Sequence, residues 1–208
     1  MADLNLVVLI ENSSPDGLLR EHGLSVYLEY RGCPVLLDAG ESGAFLRNAA
    51  DLGVDLSQVA YAALSHGHYD HADGLTAFFV ANRTAQVYAR PHIADAETSG
   101  GAYIGVNPGL LHRHSRRFDL GDGPRELIPG LHLLPDTVPH EQSLVAETAQ
   151  GLVILNSCCH AGAGHIVQDV KAQFPGQPVR ALVGGFHLMG RDGPKSLGVA
   201  PGIVKNLA

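Results

Sequence analysis

The chain has little cysteine, a deficit of positive charge and no long apolar run. Its 208 residues include three cysteines, which are Cys33, Cys158 and Cys159. Three cysteines do not build a disulfide framework, and adjacent cysteines seldom pair with each other. We therefore expect a cytoplasmic protein with reduced thiols, in which the three side chains pack as small buried groups.

The deficit of positive charge narrows the range of partners. The chain has 14 lysines and arginines against 21 aspartates and glutamates, so its formal net charge is -7. This balance argues against general affinity for a nucleic acid backbone or an anionic membrane. No stretch is long enough to span a bilayer, and the apolar run at residues 6–10 is too short for the core of a signal peptide. The expected partner is a small molecule.

Apolar runs bounded by turn residues predict two series of strands within one domain, residues 1–208. The first series covers residues 4–10, 24–30, 35–38, 59–64 and 86–89, and the second covers residues 131–134, 143–147, 152–156 and 179–183. Amphipathic segments predict a helix that begins after Ser42 as its N-cap and ends at Gly53, and further helices over residues 74–80 and 164–174. Two sheets packed face to face with helices outside, a four-layer αββα sandwich of the α/β class, fit this order.

Three histidines and an aspartate lie within six residues after the strand predicted at residues 59–64. They are His66, His68, Asp70 and His71. Such groups are costly to crowd together unless something compensates them, and a divalent metal ion does so. Neutral imidazoles and a carboxylate suit zinc, with Mn²⁺ or Fe²⁺ as alternatives. A surface histidine cluster without metal is the other interpretation.

The spacing of these residues predicts how they share metal ions. His66 and His68 are two residues apart at the end of an extended segment, so they point to the same side and hold one ion. Asp70 and His71 follow a turn, which lets them face a second ion. Gly67 is expected to permit the tight conformation of this loop.

The order His-x-His-x-Asp-His after an apolar strand resembles the signature of the metallo-β-lactamase fold superfamily, whose members are mostly hydrolases with one or two metal ions. Further motifs are Leu-Leu-Asp-Ala-Gly at 36–40, Cys-Cys-His-Ala-Gly at 158–162 and Gly-Gly-Phe-His-Leu at 184–188. Together they resemble the branch that includes ribofuranosylaminobenzene 5'-phosphate synthase-like proteins of pterin metabolism. The resemblance implies that Asp38 orients metal ligands from beneath the site, whereas a cap of the following turn is the alternative role.

Histidines later in the chain complete the predicted ligand set. His160 is the expected third ligand of the ion held by His66 and His68, with His140 as its alternative. His187 is the expected partner of Asp70 and His71. In the resembled branch a histidine in a His-Cys-Thr-Gly motif serves this second ion, and this chain lacks that motif. We therefore expect one or two ions. At most one of Cys158 and Cys159 faces the metal, and packing is the favoured role of both.

The function predicted from these residues is metal-dependent hydrolysis of an ester, phosphoester or related small-molecule substrate. Asp70 is expected to bind metal and orient the nucleophile, and His187 to stabilise the leaving group. The long stretch at residues 90–130 is expected to be an irregular lid or binding loop, and its basic segment at 113–117 favours an anionic or pterin-like substrate. The alternatives are a glyoxalase-type thioesterase and a non-catalytic metal- or ligand-binding protein.

Overall fold

The structure, a computed structural model, describes residues 3–15, 17–95, 97–137 and 140–187, with the backbone of 189–190 and 193–194. The chain divides into two compact units, Met1–Asp122 and Gly123–Ala208. Each unit is described by itself below, and the single domain expected from the length stays a prediction. In the part of the chain that the structure describes, no helix combines the length and the apolar character needed to cross a membrane.

The first unit is built on a six-stranded sheet with the order β1-β2-β3-β4-β5-β8. Its strands are β1 Leu4–Ile10, β2 Ser25–Tyr30, β3 Cys33–Leu37, β4 Tyr61–Ala63, β5 Gln86–Ala89 and β8 Phe118–Leu120, and a separate hairpin consists of β6 Thr98–Ser99 and β7 Ala102–Tyr103. The first three strands are antiparallel, and β3, β4, β5 and β8 are parallel to one another. Its helices are α1 Ala44–Asp51, α2 Tyr69–Ala72, α3 Leu75–Ala81 and α4 Pro108–Arg113, with 3-10 turns at Leu56–Gln58, Pro91–Ala94 and Ser115–Arg117.

Helix α1 begins one residue later than the sequence predicted. Gly43 is the N-cap, and Ser42 contributes from one position earlier, because its Oγ accepts a hydrogen bond from the backbone N–H of Ala44 at 3.1 Å. The helix buries Phe45 and Ala49 against the sheet core. Gly53 follows its last turn with a φ of +73°, as the predicted stop requires.

The stretch at residues 90–130 is more regular than expected. It contains the hairpin β6–β7, helix α4 and strands β8 and β9. The side chain of Asn107 accepts from the N–H of Gly109, and Pro108 occupies the first turn of α4. An N-cap followed by proline is a helix-start signal, so the sequence held the information that apolar periodicity alone did not reveal.

The second unit is built on a five-stranded sheet with the order β13-β12-β11-β10-β9. The strands are β9 Arg125–Ile128, β10 Leu131–Pro135, β11 Gln142–Thr148, β12 Gly151–Leu155 and β13 Val179–Val183, and a separate pair consists of β14 Met189–Gly190 and β15 Gly193–Pro194. Helix α5, Ala163–Gln173, packs Ile166, Val167 and Val170 into the core of this unit. Only β12 and β13 are parallel among the five strands of this sheet.

Polar residues follow adjacent parallel strands in each unit. In the first unit Asp38 follows β3 and the histidine motif follows β4, while in the second unit residues 156–160 follow β12 and residues 184–187 follow β13. Because the carboxyl ends of parallel strands lie at the same edge of a sheet, each unit gathers potential metal ligands at one edge.

Candidate metal sites

A buried aspartate organises the histidine motif of the first unit. Asp38 is 1% exposed and has a φ of +56°. Its carboxylate accepts hydrogen bonds from the N–H and the hydroxyl of Ser65, at 2.7 and 2.6 Å, and lies 2.8 Å from Nδ1 of His71. The carboxylate therefore orients the ring of His71, a candidate ligand, while the backbone group that it bonds belongs to Ser65, 27 positions away, and not to the turn that follows Asp38.

His66 and His68 direct one nitrogen each toward the other. Nε2 of His66 lies 3.0 Å from Nδ1 of His68. The outer nitrogens have other neighbours: Nδ1 of His66 lies 2.8 Å from the hydroxyl of Ser65, and Nε2 of His68 lies 2.8 Å from Oε2 of Glu97. Because the Ser65 hydroxyl donates to Asp38, it accepts from His66, and the Glu97 carboxylate accepts from His68. When both rings are neutral, these bonds leave a lone pair on each inner nitrogen.

Asp70 and His71 form a second converging pair. Nε2 of His71 lies 3.3 Å from Oδ2 of Asp70. Because Nδ1 of His71 donates to Asp38, the inner nitrogen of the neutral ring again carries a lone pair. Nε2 of His22 lies 3.4 Å from the same Asp70 oxygen. Burial raises the pKa of Asp70, but when His71 and His22 are protonated, the hydrogen bond and charge of His71, together with the charge of His22, outweigh burial and lower the pKa to about 2. Asp70 is therefore an anion at neutral pH.

The two pairs fit divalent metal ions in spacing and in chemistry. Two nitrogen or oxygen ligands on a tetrahedral zinc ion are separated by about 3.3 Å, as follows from bond lengths near 2.0–2.1 Å. The observed separations are 3.0 Å for His66 and His68 and 3.3 Å for Asp70 and His71. When the imidazoles are neutral, each pair sets two electron-rich atoms against each other, and a cation between them removes the repulsion.

Gly67 serves this loop for a reason different from the one predicted. Its φ is not positive, so the loop does not need the conformational freedom of glycine there. A Cβ at Gly67 would instead lie 2.8 Å from Cα of Ile93. The motif therefore requires glycine because the backbone of the 3-10 turn Pro91–Ala94 passes close by.

In the second unit a buried glutamate holds the loop that carries His160. Glu141 is fully buried, and its Oε1 and Oε2 accept hydrogen bonds from the N–H groups of Cys158 and His160 at 2.9 and 2.7 Å. Between them Cys159 has a φ of +51°, and its N–H donates to Oδ1 of Asn156 at 2.6 Å. Cys159 packs in the core of this unit, where burial raises the pKa of its thiol.

The loops after β12 and β13 bring three potential ligands together. Ligand atoms of Cys158, His160 and His187 all lie within 4.8 Å of one another. The rings of His160 and His187 have centroids 4.7 Å apart, and the ring of His140, the alternative to His160, has its centroid 5.0 Å from that of His160. His160 and His187 thus lie side by side, while the prediction that they complete the ligand sets of His66 with His68 and of Asp70 with His71 stays a prediction.

Several residues at these sites were not found from the sequence. Ser65 and Glu97 bond to the first histidines, Glu141 holds the second loop, and Cys158 lies beside His160 although packing was its favoured role. Ser65 adjoins the motif and Glu141 adjoins His140, so their position next to a candidate ligand in the sequence could have indicated them. Glu97 lies 29 residues from His68 and had no local signal.

The basic segment at residues 113–117 is only partly available to an anion. Nε and Nη1 of Arg117 donate to the carbonyls of Ala85 and Asn82, and its guanidinium lies 4.5 Å from the ring centroid of Phe79. This side chain therefore has a structural role. Arg113 and Arg116 are exposed.

Known sequences resemble the chain over most of its length. The sequence model of the metallo-beta-lactamase superfamily matches residues 19–177. An uncharacterized protein of Methanocaldococcus jannaschii is 26% identical, over 88% of this chain and 79% of its own length. The 7,8-dihydropterin-6-methyl-4-(beta-D-ribofuranosyl)-aminobenzene-5'-phosphate synthase of the same organism is 24% identical, over 83% of this chain and 72% of its own length.

Solved structures also resemble the chain. A crystal structure described as a metal-dependent hydrolase of the beta-lactamase superfamily has a TM-score of 0.77 and 28% identity, and the match covers 97% of this chain and 80% of that one. An N-acyl homoserine lactone hydrolase, solved with its product at the catalytic metal center, has a TM-score of 0.61 and 18% identity, with coverage of 88% and 92%. These likenesses confirm the predicted fold class, the mixed α/β fold of the metallo-β-lactamase type.

Proposed function

The chain belongs to the metallo-β-lactamase superfamily, and we propose that it is a metal-dependent hydrolase that cleaves an ester, phosphoester or related bond in a small molecule. The observation that carries this proposal is the set of oxygen partners around the histidine motif. The outer nitrogens of His66, His68 and His71 face an oxygen of Ser65, Glu97 and Asp38, so each inner nitrogen has a lone pair when its ring is neutral. Such an arrangement prepares imidazoles to bind metal.

The proposed ligands are those predicted from the sequence. His66 and His68 hold one ion with His160, and Asp70 and His71 hold a second with His187. Zinc suits this donor set of imidazoles and a carboxylate, and Mn²⁺ or Fe²⁺ are the alternatives. The assignment of His160 is tested by its alanine variant, which we expect to lose about one equivalent of metal per chain.

The residues of the chain have distinct roles in the proposed reaction. A divalent ion at these ligands supplies a nucleophile at neutral pH by lowering the pKa of a water, and it polarises the carbonyl or phosphoryl group. Asp70, ionised at neutral pH, accepts a hydrogen bond from the nucleophile and orients it. His71 is kept in one tautomer by Asp38, and His187 stabilises the leaving group as a nearby hydrogen-bond donor.

The substrate proposed is anionic and related to phosphate-bearing pterin precursors. The support is the relative whose name is a dihydropterin ribofuranosylaminobenzene phosphate synthase. Arg113 and Arg116, the exposed arginines of the basic segment, offer guanidinium groups that match phosphate or carboxylate oxygens.

Metal analysis combined with a substrate panel tests this function. The purified chain is loaded with zinc, its metal content is measured by mass spectrometry, and hydrolysis is followed with chromogenic carboxylic ester, lactone, thioester and phosphodiester substrates. We expect one or two equivalents of metal and turnover of an ester or phosphodiester. Turnover of the thioester alone identifies a glyoxalase-type thioesterase, and bound metal without any turnover identifies a binding protein.

The Asp70→Ala variant tests whether the Asp70 carboxylate acts in the reaction itself, in addition to binding metal. We expect loss of activity even in enzyme loaded with metal to the wild-type level, because the carboxylate that orients the nucleophile is gone. Full activity in a metal-loaded Asp70→Ala enzyme contradicts the role assigned to Asp70. Arg47→Ala, which removes an exposed ion pair with Asp51, is the control that leaves activity unchanged.

A further inference from the structure

We propose that the Cys158 thiolate is a ligand of the metal ion that His160 binds, with a nitrogen of His187, the proposed ligand of the second ion, close by. This inference rests on the metal centre of the proposed function and adds a sulfur to its donors. Its first support is position, since the Sγ of Cys158 and a nitrogen of each histidine all lie within 4.8 Å of one another. A sulfur and a nitrogen on one tetrahedral zinc ion are separated by about 3.6 Å, given bond lengths of about 2.3 and 2.0 Å, which this limit accommodates.

The second support is the way the loop is held. One carboxylate, that of Glu141, accepts the N–H of Cys158 through Oε1 and the N–H of His160 through Oε2. Both ligand-bearing residues are therefore fixed by the same buried side chain, which is 0% exposed. A loop whose backbone is fixed at both positions holds the two side chains ready for one ion.

The neighbouring Cys159 has different surroundings from those of Cys158. Cys159 has a φ of +51°, packs in the core of the second unit and places its Sγ 3.9 Å from the carbonyl of Asn156. Cys158 instead lies within reach of two histidines. The two thiols are adjacent in sequence and differ in surroundings, so Cys159 is a matched control for Cys158.

A thiolate ligand has a chemical consequence for metal choice. Sulfur is a soft donor that favours zinc and cobalt over manganese and magnesium, which prefer oxygen ligands. We therefore expect the protein to prefer zinc over Mn²⁺ and the Cys158→Ser variant to lose part of this preference.

Cobalt spectroscopy tests the proposal without measuring activity. The metal-free full chain is titrated with Co²⁺, and the near-ultraviolet charge-transfer absorption that arises only from thiolate-bound cobalt is recorded beside the visible bands of bound cobalt. We expect both signals in the wild type and in Cys159→Ser, and only the visible bands in Cys158→Ser. Visible bands without thiolate absorption in the wild type overturn the role of Cys158. Failure of the wild type to bind any cobalt or zinc overturns the proposed function as well.

Zinc affinity provides a second measurement. Competition with a chromophoric chelator should show zinc binding weakened at least about tenfold in Cys158→Ser, the lower end of the loss seen when partners that only orient ligands are removed. Cys159→Ser should retain wild-type affinity when circular dichroism shows that it is folded. Because Cys159 is in the core, Cys33→Ser serves as a further control at a half-buried position. Equal zinc affinity in wild type and Cys158→Ser contradicts the proposal.

Discussion

The two units use a buried carboxylate in different ways. In the first unit Asp38 bonds to the side chain of a proposed ligand, Nδ1 of His71, and to Ser65, which in turn contacts His66. In the second unit Glu141 bonds to backbone N–H groups on either side of Cys159. The first arrangement determines which nitrogen of a ring carries the proton, whereas the second determines the path of a loop.

This difference matters because the two kinds of donor respond differently when the acceptor changes. An imidazole can move its proton to the other nitrogen and a hydroxyl can rotate, so the first unit is able to restore its hydrogen bonds at the expense of metal binding. A backbone N–H has no such alternative. Substitution of Glu141 in the second unit should therefore mainly lower the stability of the fold. Substitution of Asp38 in the first unit should mainly lower the affinity for metal.

The largest expected effect compares two glycines, one beside each site. A Cβ at Gly184 would lie 1.8 Å from the carbonyl oxygen of Asn156, at a φ of +144°, whereas a Cβ at Gly67 would lie 2.8 Å from Cα of Ile93 without a positive φ. We expect Gly184→Ala to lower the free energy of unfolding by about 2–5 kcal/mol and Gly67→Ala by about 1–3 kcal/mol. Urea denaturation of the metal-free variants measures both. A greater loss in Gly67→Ala would reverse the expected order.

Asp38→Asn and Glu141→Gln test the comparison directly. In Asp38→Asn an amide NH₂ faces Nδ1 of His71, which favours the tautomer with its proton on Nε2, the nitrogen nearest Asp70. We expect zinc affinity to fall by about 10- to 100-fold. In Glu141→Gln one backbone N–H loses its acceptor, and we expect about 1–3 kcal/mol less stability with a smaller loss of zinc affinity.

Isothermal titration with zinc and urea denaturation are applied to the same two variants. The informative quantity is the ratio of lost affinity to lost stability, which should be higher for Asp38→Asn. If Glu141→Gln loses more zinc affinity than Asp38→Asn while remaining as stable as the wild type, the two carboxylates do not differ as described.

Glu97→Gln should have the smallest effect. Its side chain is 26% exposed, and a glutamine oxygen still accepts the hydrogen bond from Nε2 of His68. Only the charge is lost, so we expect zinc affinity to fall less than about tenfold and stability to change by less than about 0.5 kcal/mol. The measurements are those used for Asp38→Asn. A loss of affinity as large as in that variant would show that the Glu97 charge, rather than its position, supports His68.

The features that were predictable from the sequence are those that depend on residues close together in the chain. Strands β1, β5 and β13 have the predicted bounds, and the converging pairs follow from the spacing of His66, His68, Asp70 and His71. These features depend on apolar runs and on residues no more than five positions apart, for which local patterns suffice.

Contacts between distant residues were not predictable in the same way. Glu97 lies 29 positions from His68, and Glu141 lies 19 positions from His160, so no local pattern connects them. Cys159, between Cys158 and His160, has a φ of +51°, a conformation that is uncommon for cysteine and that the residue type does not predict. Position 38 was identified, but its three hydrogen bonds became evident only once β3 and β4 were paired.

The bonds of Asp38 connect only protein groups, so they do not need an ion to form. The side chains that Asp38 holds are therefore arranged during folding. Their conformational entropy is lost before the cation binds, so metal binding does not have to offset it. Treatment with a chelator should therefore remove metal reversibly while the six-stranded sheet stays intact, unlike zinc fingers, which unfold when stripped. At a pH where these imidazoles are neutral, the inner nitrogens lack protons, so reloading there should release few protons into the buffer.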